Sequence, residues 1–296
     1  MTAQDLSIIL LVVVIWGVNF VALRIGLNGM PPMLLVCLCF VLSALPAVFF
    51  VKRPQVQWRY VIGYGLVLGV VKFSLLYGGL KIGMPTGLSS IVLQTQSFFT
   101  FGFATVLLNE RVRPNQIAGM LIAVSGLGLI ALAFDATVGM LPLAMCVGAA
   151  CAWGLANVIV KKAGPVEPLS FLVWASLIPP VPMLALSLGI EGPQQIATSL
   201  AHLSGVSIAA MLFTAYLSTL FGFAVWNKMI AKYGASQVAP FSLLVPIFGL
   251  LSTALALGEQ ITPVKLAAGA LVMVGLAMFV FGGQAWARLA PVVRHA

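Results

Sequence analysis

Ten apolar runs alternate with short polar breaks along the 296 residues, near 6–27, 33–51, 60–80, 86–108, 116–134, 139–160, 169–190, 204–230, 235–257 and 264–282. Each comes close to the roughly 20 residues that an α-helix needs to cross the hydrocarbon of a bilayer. The breaks carry turn chemistry: Met-Pro-Pro at 30–32, Lys-Arg-Pro at 52–54, Met-Pro at 84–85, Arg-Pro at 113–114, Gly-Pro at 164–165 and Thr-Pro at 262–263. Proline is tolerated at a helix start because its missing N–H would be unpaired there. The pattern predicts an all-α membrane protein of ten transmembrane helices. The third and seventh runs are the least regular, one interrupted by Lys72 and the other by Pro179, Pro180 and Pro182. The first run is too long for a signal-peptide core, with no basic residue before it and no small-residue cleavage site. It is read as a retained helix.

Composition agrees. Hydrophobic residues make up 61% of the chain and charged residues 7%, at mean hydropathy +1.13. A soluble domain is closer to about 25% charged. The net charge of +9 comes without a dense basic run, so nucleic acid is not an expected partner; the lipid bilayer is. Eleven lysines and arginines fall on the side of the N-terminus: Lys52, Arg53, Arg59, Arg111, Arg113, Lys161, Lys162, Lys228, Lys232, Arg288 and Arg294. Three fall opposite, namely Arg24, Lys81 and Lys265, and Lys72 lies within a run. The positive-inside rule then puts both termini in the cytoplasm. Cys37, Cys39, Cys146 and Cys151 all sit in apolar runs without zinc-like spacing and read as small buried thiols.

The chain also repeats itself. Leu93–Gly126 and Ser242–Gly275 align at one offset of 149 residues, matching Glu110 with Glu259, Pro114 with Pro263 and Gly126 with Gly275. With five runs per half, the second half starts on the opposite side of the membrane and is inverted. The expected organisation is one five-helix repeat over 1–137, a second, inverted one over 138–283, and a cytoplasmic tail at 284–296. Such inverted repeats are the usual build of secondary transporters, with the substrate between the halves. Trp16-Gly17-Val18-Asn19 is echoed by Trp153-Gly154-Leu155-Ala156-Asn157 at an offset of 137. The different offset calls for extra residues between these helices and the later pair, and the stretch from Glu191 to Leu203 can hold them.

Several runs resemble one family. Trp-Gly-x-Asn-Phe at the start, Ser-Ile-Val-Leu-Gln-Thr-Gln-Ser-Phe-Phe at 90–99, the Asn-Glu-Arg turn, and Val-Ala-Pro-Phe-Ser-Leu-Leu-Val-Pro at 238–246 look like the drug/metabolite transporter superfamily. More narrowly they resemble its ten-helix EamA-type amino-acid metabolite exporters, over nearly the whole chain. The resemblance implies two EamA domains, a bacterial inner-membrane location, and export of small metabolites by alternating access.

A polar side chain in hydrocarbon needs a partner, a cavity or a function. Lys72 stands about twelve residues into the third run, roughly 18 Å along the axis and a little past the midplane. It either faces the cavity, meeting a substrate carboxylate or setting the local potential, or snorkels to the outer interface. Gln94, Thr95, Gln96 and Ser97 lie mid-way along the fourth run, with Gln94 and Ser97 on one flank and Gln96 nearly opposite Gln94. Their counterparts Leu243, Leu244, Val245 and Pro246 are apolar, which predicts a cavity polar on the helix 4 side. Trp16 with Asn19, Trp153 with Asn157, and Thr214 with Ser218 are further pairs on single helix faces. For the two Trp–Asn pairs the alternative is a packing contact between the first and sixth helices. Trp174 and Ser176 are weaker candidates. Gly119, Ala123 and Gly126, with Ala268, Gly269 and Gly275, read as close helix packing within the scaffold or in a dimer.

All six acids, Asp5, Glu110, Asp135, Glu167, Glu191 and Glu259, fall at helix ends or in loops. Glu110 and Glu259 each precede a proline-started helix and suit capping of helix N-termini, with gating contacts as the alternative. Without a membrane carboxylate, lipophilic cations are poor substrates and facilitated export is favoured; Lys72 is the one group for a proton-coupled alternative. An enzyme lacks parts, since the two histidines, His202 and His295, lie outside the runs. A carrier of nucleotide sugars or lipid-linked intermediates would need more cations along the path than Lys72. The expected function is export of amino acids or related small metabolites, without cofactor or metal, by a monomer or homodimer. The substrate-binding candidates are Trp16, Asn19, Lys72, Gln94, Gln96, Ser97, Trp153, Asn157, Thr214 and Ser218.

Overall fold

A backbone in hydrocarbon must satisfy its own hydrogen bonds, and the chain does so as helices. The computed structural model describes residues 1–108, 114–132, 139–233 and 235–293, with side chains for all of these but 130–132, 235, 236, 239, 240 and 280–293. No strand occurs among them. Seven helices are long and apolar enough to span: α1 Ala3–Gly29, α2 Pro32–Phe49, α3 Trp58–Lys81, α4 Thr86–Leu108, α6 Met140–Ala163, α7 Pro168–Glu191 and α8 Gly205–Tyr233. Three further apolar helices fill the remaining places, α5 Pro114–Leu132, α9 Phe241–Leu257 and α10 Pro263–Val293. Apolar residues face outward as well as inward: Leu255 is 79% exposed and Val106 76%. On a soluble protein such a belt would be a sticking surface; in a membrane the lipid covers it.

Helix ends reveal the directions of travel. Lys81, ending α3, donates to Leu27 O in the last turn of α1 (3.1 Å), and Arg24 of α1 donates to Leu80 O of α3 (2.9 Å). Glu191, ending α7, accepts from Met33 and Leu34 N at the start of α2. Glu259, just past α9, accepts from Thr86 N (2.7 Å) and Gly87 N (2.8 Å) at the start of α4. Early α6 runs beside early α4, with Cys146 Sγ at 4.0 Å from Ser89 O. Thus α1 ends on the face where α6 begins, and the two halves are inverted. These contacts follow the helix dipole, with acids on N-terminal N–H groups and bases on C-terminal carbonyls. Glu259 caps a helix as expected, but α4 of the other half and not the α10 that it precedes. Glu110 lies outside the described residues.

Packing repeats with the inversion. α1 packs on α9 as α6 packs on α4, and α1 on α8 as α6 on α3; α2 pairs with α7, and α5 with α10. The Trp-Gly echo marks one of these contacts. A Cβ on Gly17 would collide with Phe248 Cβ, and a Cβ on Gly154 would sit 2.6 Å from Phe99 Cβ. Phe99 and Phe248 correspond at the 149-residue offset. Gly119 meets Gly275, and Gly126 meets Ala268, so those small residues close the α5–α10 contact within one chain. Irregular turns repeat too. α3 widens to a π-helix over Gly65–Lys72 and α8 over Phe213–Phe221. α4 tightens to a 3-10 turn over Leu93–Thr95, and Ala239–Leu244 does so where α9 begins. Each pair falls at the same 149-residue offset. The offset is still 137 at Gly17 and Gly154, and a short helix, Pro193–Ala201, fills the longer link between α7 and α8.

α7 is broken where the prolines interrupt it. Regular α-helix covers Pro168–Ala175 and resumes at Pro180–Leu186. A mid-helix proline removes a backbone bond and its ring crowds the preceding turn. The gap receives α3, whose Gly65 and Gly69 lie against Ile178 and Pro179.

Gly154→Ala and Gly17→Ala are expected to lower stability by about 1–3 kcal/mol each through overpacking. Gly128→Ala, with nothing within 4 Å of its Cβ, is expected to be neutral. Thermal unfolding in detergent checks this; equal melting of all three variants would refute the crossing contact.

Candidate functional site

A cation well inside α3 is held by aromatic faces. Lys72 ends the π stretch of α3 and is 6% exposed. Its Nζ lies 3.4 Å from the Phe73 ring centroid and 4.9 Å from that of Trp153, midway along α6. A ring's negative face attracts an ammonium, more so when water is excluded. Among the described residues Lys72 has no carboxylate partner; the described ion pair is Lys232 with Asp5 (2.8 Å), at the joined ends of α8 and α1. The side chain remains inside the helix layer, although snorkelling was the alternative at the level of sequence.

One turn beyond Trp153, Asn157 shares its face of α6 and reaches α4. Its Nδ2 donates to Gln96 Oε1 (2.7 Å) and to Thr100 Oγ1 (3.0 Å). Thr100 donates in turn to Gln96 O (2.7 Å), and Gln96 Nε2 donates to Ser97 Oγ (3.2 Å). Gln94 turns the other way and donates to Ser242 O, where α9 begins (3.2 Å). The two glutamines point apart, as the helical angle requires. Thr100 and Phe73 complete this group and were not singled out from sequence. Thr100, four residues after Gln96, had a spacing signal; the reach from α3 to Trp153 had none.

The first-half tryptophan has other company. Trp16 Nε1 donates to Ser218 O of α8 (2.9 Å), and its ring lies 5.4 Å from Phe223 and 5.0 Å from Trp226. The packing alternative named α6 as its neighbour; the helix is α8. Asn19 Oδ1 is buried with no hydrogen-bond donor among the described residues. Thr214 and Ser218 are both buried, and π winding brings the Thr219 hydroxyl, five residues on, to Thr214 O (2.8 Å). Trp174 donates to Val51 O and meets Trp58 edge to face, away from the other candidates. The result is lopsided, with Lys72, Gln96, Ser97, Thr100 and Asn157 across α3, α4 and α6, and an aromatic set across α1 and α8. Val245 and Gly249 stand where Gln96 and Thr100 would repeat. Two surface concavities of about 570 and 640 Å³ lie elsewhere, one by Arg53, Tyr60 and Lys162, the other by Glu191 and Thr198. None of the ten candidates lines either one.

The model of the EamA-like transporter family matches residues 5–132 and 140–281. The chain belongs to this family. It is therefore a multi-pass membrane protein of a transporter family. It is 40% identical over 288 residues to a "Probable amino-acid metabolite efflux pump" of Salmonella typhimurium strain LT2, covering 95% of this chain and 96% of that one. The protein of the same name in Escherichia coli K12 is 37% identical, at 95% and 96% coverage. A "Probable terminal-alkyne amino-acid exporter" of Streptantibioticus cattleyicolor is 24% identical, covering 90% of each chain. One crystal structure superposes with TM-score 0.60 at 18% identity, covering 94% of this chain and 96% of its own, which supports the fold.

Gln96→Leu and Asn157→Leu are each expected to cost more than their combination implies, with a coupling of about 0.6 kcal/mol. A double-mutant cycle on unfolding in bicelles measures it. Strict additivity would show that the bond contributes nothing.

Proposed function

We propose that this family member exports amino acids or closely related small metabolites across the bacterial inner membrane by alternating access. Family membership and two relatives named as amino-acid metabolite efflux pumps support the class. The halves, 1–137 and 138–283, rock about the inverted contacts of α1 with α9 and α4 with α6, carrying the site between them. Both termini and the tail at 284–296 are cytoplasmic, on the side that the lysine and arginine count favours. The path is lined by Trp16, Asn19, Lys72, Gln94, Gln96, Ser97, Trp153, Asn157, Thr214 and Ser218. The protein works as a monomer or homodimer.

The observation that carries the mechanism is the engagement of the described acids. Asp5 accepts from Thr2 and Lys232, Glu167 from Leu169 and Ser170 N, Glu191 from the start of α2, and Glu259 from the start of α4. Each is tied at a helix end, leaving none of them mid-span to relay protons. The reading is facilitated export down a metabolite gradient.

Purified protein in proteoliposomes preloaded with amino acids tests it. Efflux is expected at equal rates with and without an imposed proton gradient. Efflux only with the gradient would overturn facilitation and turn attention to Lys72, while efflux of neither amino acids nor their close derivatives would overturn the substrate class.

A further inference from the structure

A zwitterionic amino acid offers two charged ends, and the site is equipped for one. Lys72 is a buried ammonium with three donor hydrogens, held between the faces of Phe73 and Trp153, and without a carboxylate partner among the described residues. A charge placed so deep in a membrane protein calls for a counter-charge. Aromatic faces attract the ammonium but accept none of its hydrogen bonds conventionally, so an anion arriving there gains a charge-assisted bond.

Nothing comparable awaits an ammonium. The described acids, Asp5, Glu167, Glu191 and Glu259, sit at helix ends with donors already bound. Gln96 Oε1, a neutral acceptor facing α6, already takes Asn157 Nδ2. The two rings beside Lys72 already hold its own ammonium. A substrate ammonium entering here would lose its water and find no counter-charge.

We infer that the protein reads the carboxylate of its substrate at Lys72 and does not read a free ammonium. Its best substrates are apolar carboxylic-acid metabolites whose amine is capped, N-acylated amino acids first among them. The phenyl and indole rings beside Lys72 suit an apolar side chain next to the anion. This rests on the export reading above.

The test uses the full-length chain in proteoliposomes, with protein-free vesicles to subtract leakage. Leucine, phenylalanine and methionine are each compared with the N-acetyl acid and the N-acetyl carboxamide, by efflux and by ligand-induced thermal stabilisation. The N-acetyl acids are expected to leave at least as fast as the free amino acids. They are expected to bind about tenfold more tightly than the carboxamides, the loss of roughly one charge-assisted bond. Lys72→Arg should keep the acid preference. Lys72→Met should lose it while melting no lower than the parent, because an unpartnered buried charge is removed. Efflux of free amino acids but not of N-acetyl acids would overturn the inference and leave the export reading standing. Equal binding of acids and carboxamides by the parent would do the same, whether or not Lys72→Met folds. Efflux of neither group would overturn both.

Discussion

Hydrocarbon offers no hydrogen bonds, and that single fact organises the molecule. Every helix end exposes unpaired N–H or C=O groups, and at the membrane margin the protein supplies the partners itself. Glu191 and Glu259 reach from the second half to the first turns of α2 and α4. Lys81 and Arg24 exchange bonds with the last turns of α1 and α3. Arg24, Lys81, Glu167, Glu191 and Glu259 are thus engaged where helices begin and end, while Lys72 lies well inside α3. The same capping explains why two of the three cations on the sparsely charged face are tolerated there.

Close packing inside the layer rests on small residues, since lipid tails remove the hydrophobic drive between helices. Glycine at 17 and 154 lets α1 and α6 lie against the backbones near Phe248 and Phe99, and the α5–α10 contact uses the same device. Duplication kept this steric frame in both halves, together with the π stretches of α3 and α8. It did not keep the side chains that meet in the frame. The contact of α3 and α4 with α6 presents a lysine, two amides and hydroxyls, and the contact of α1 with α8 an indole among aromatic rings. A repeated scaffold thereby carries two unlike side-chain clusters.

Irregular helix turns coincide with candidate residues in both halves. Lys72 closes one π stretch, Thr214 and Ser218 lie in the other, and Gln94 sits in a 3-10 turn. Such turns leave backbone groups less tightly paired and re-aim the side chains that follow. In α4 the tightened turn separates Gln94, which serves α9, from Gln96, which serves α6.

Much of the fold was legible in the residues alone. Apolar run length, charge asymmetry and the 149-residue echo are local or additive properties, and they determined the helices, the inversion and the mid-span position of Lys72. The polar runs also marked helices whose polar side chains meet across helix contacts. Partner choice was not legible, because it depends on which helix faces cross. Only the tertiary structure decided that Glu259 caps α4 and not α10, that Trp16 leans on α8, and that Lys72 meets the face of Trp153 with no carboxylate beside it among the described residues. A sequence states what each helix presents to its surroundings; the packing of small residues decides how close the helices come, and so what each side chain meets.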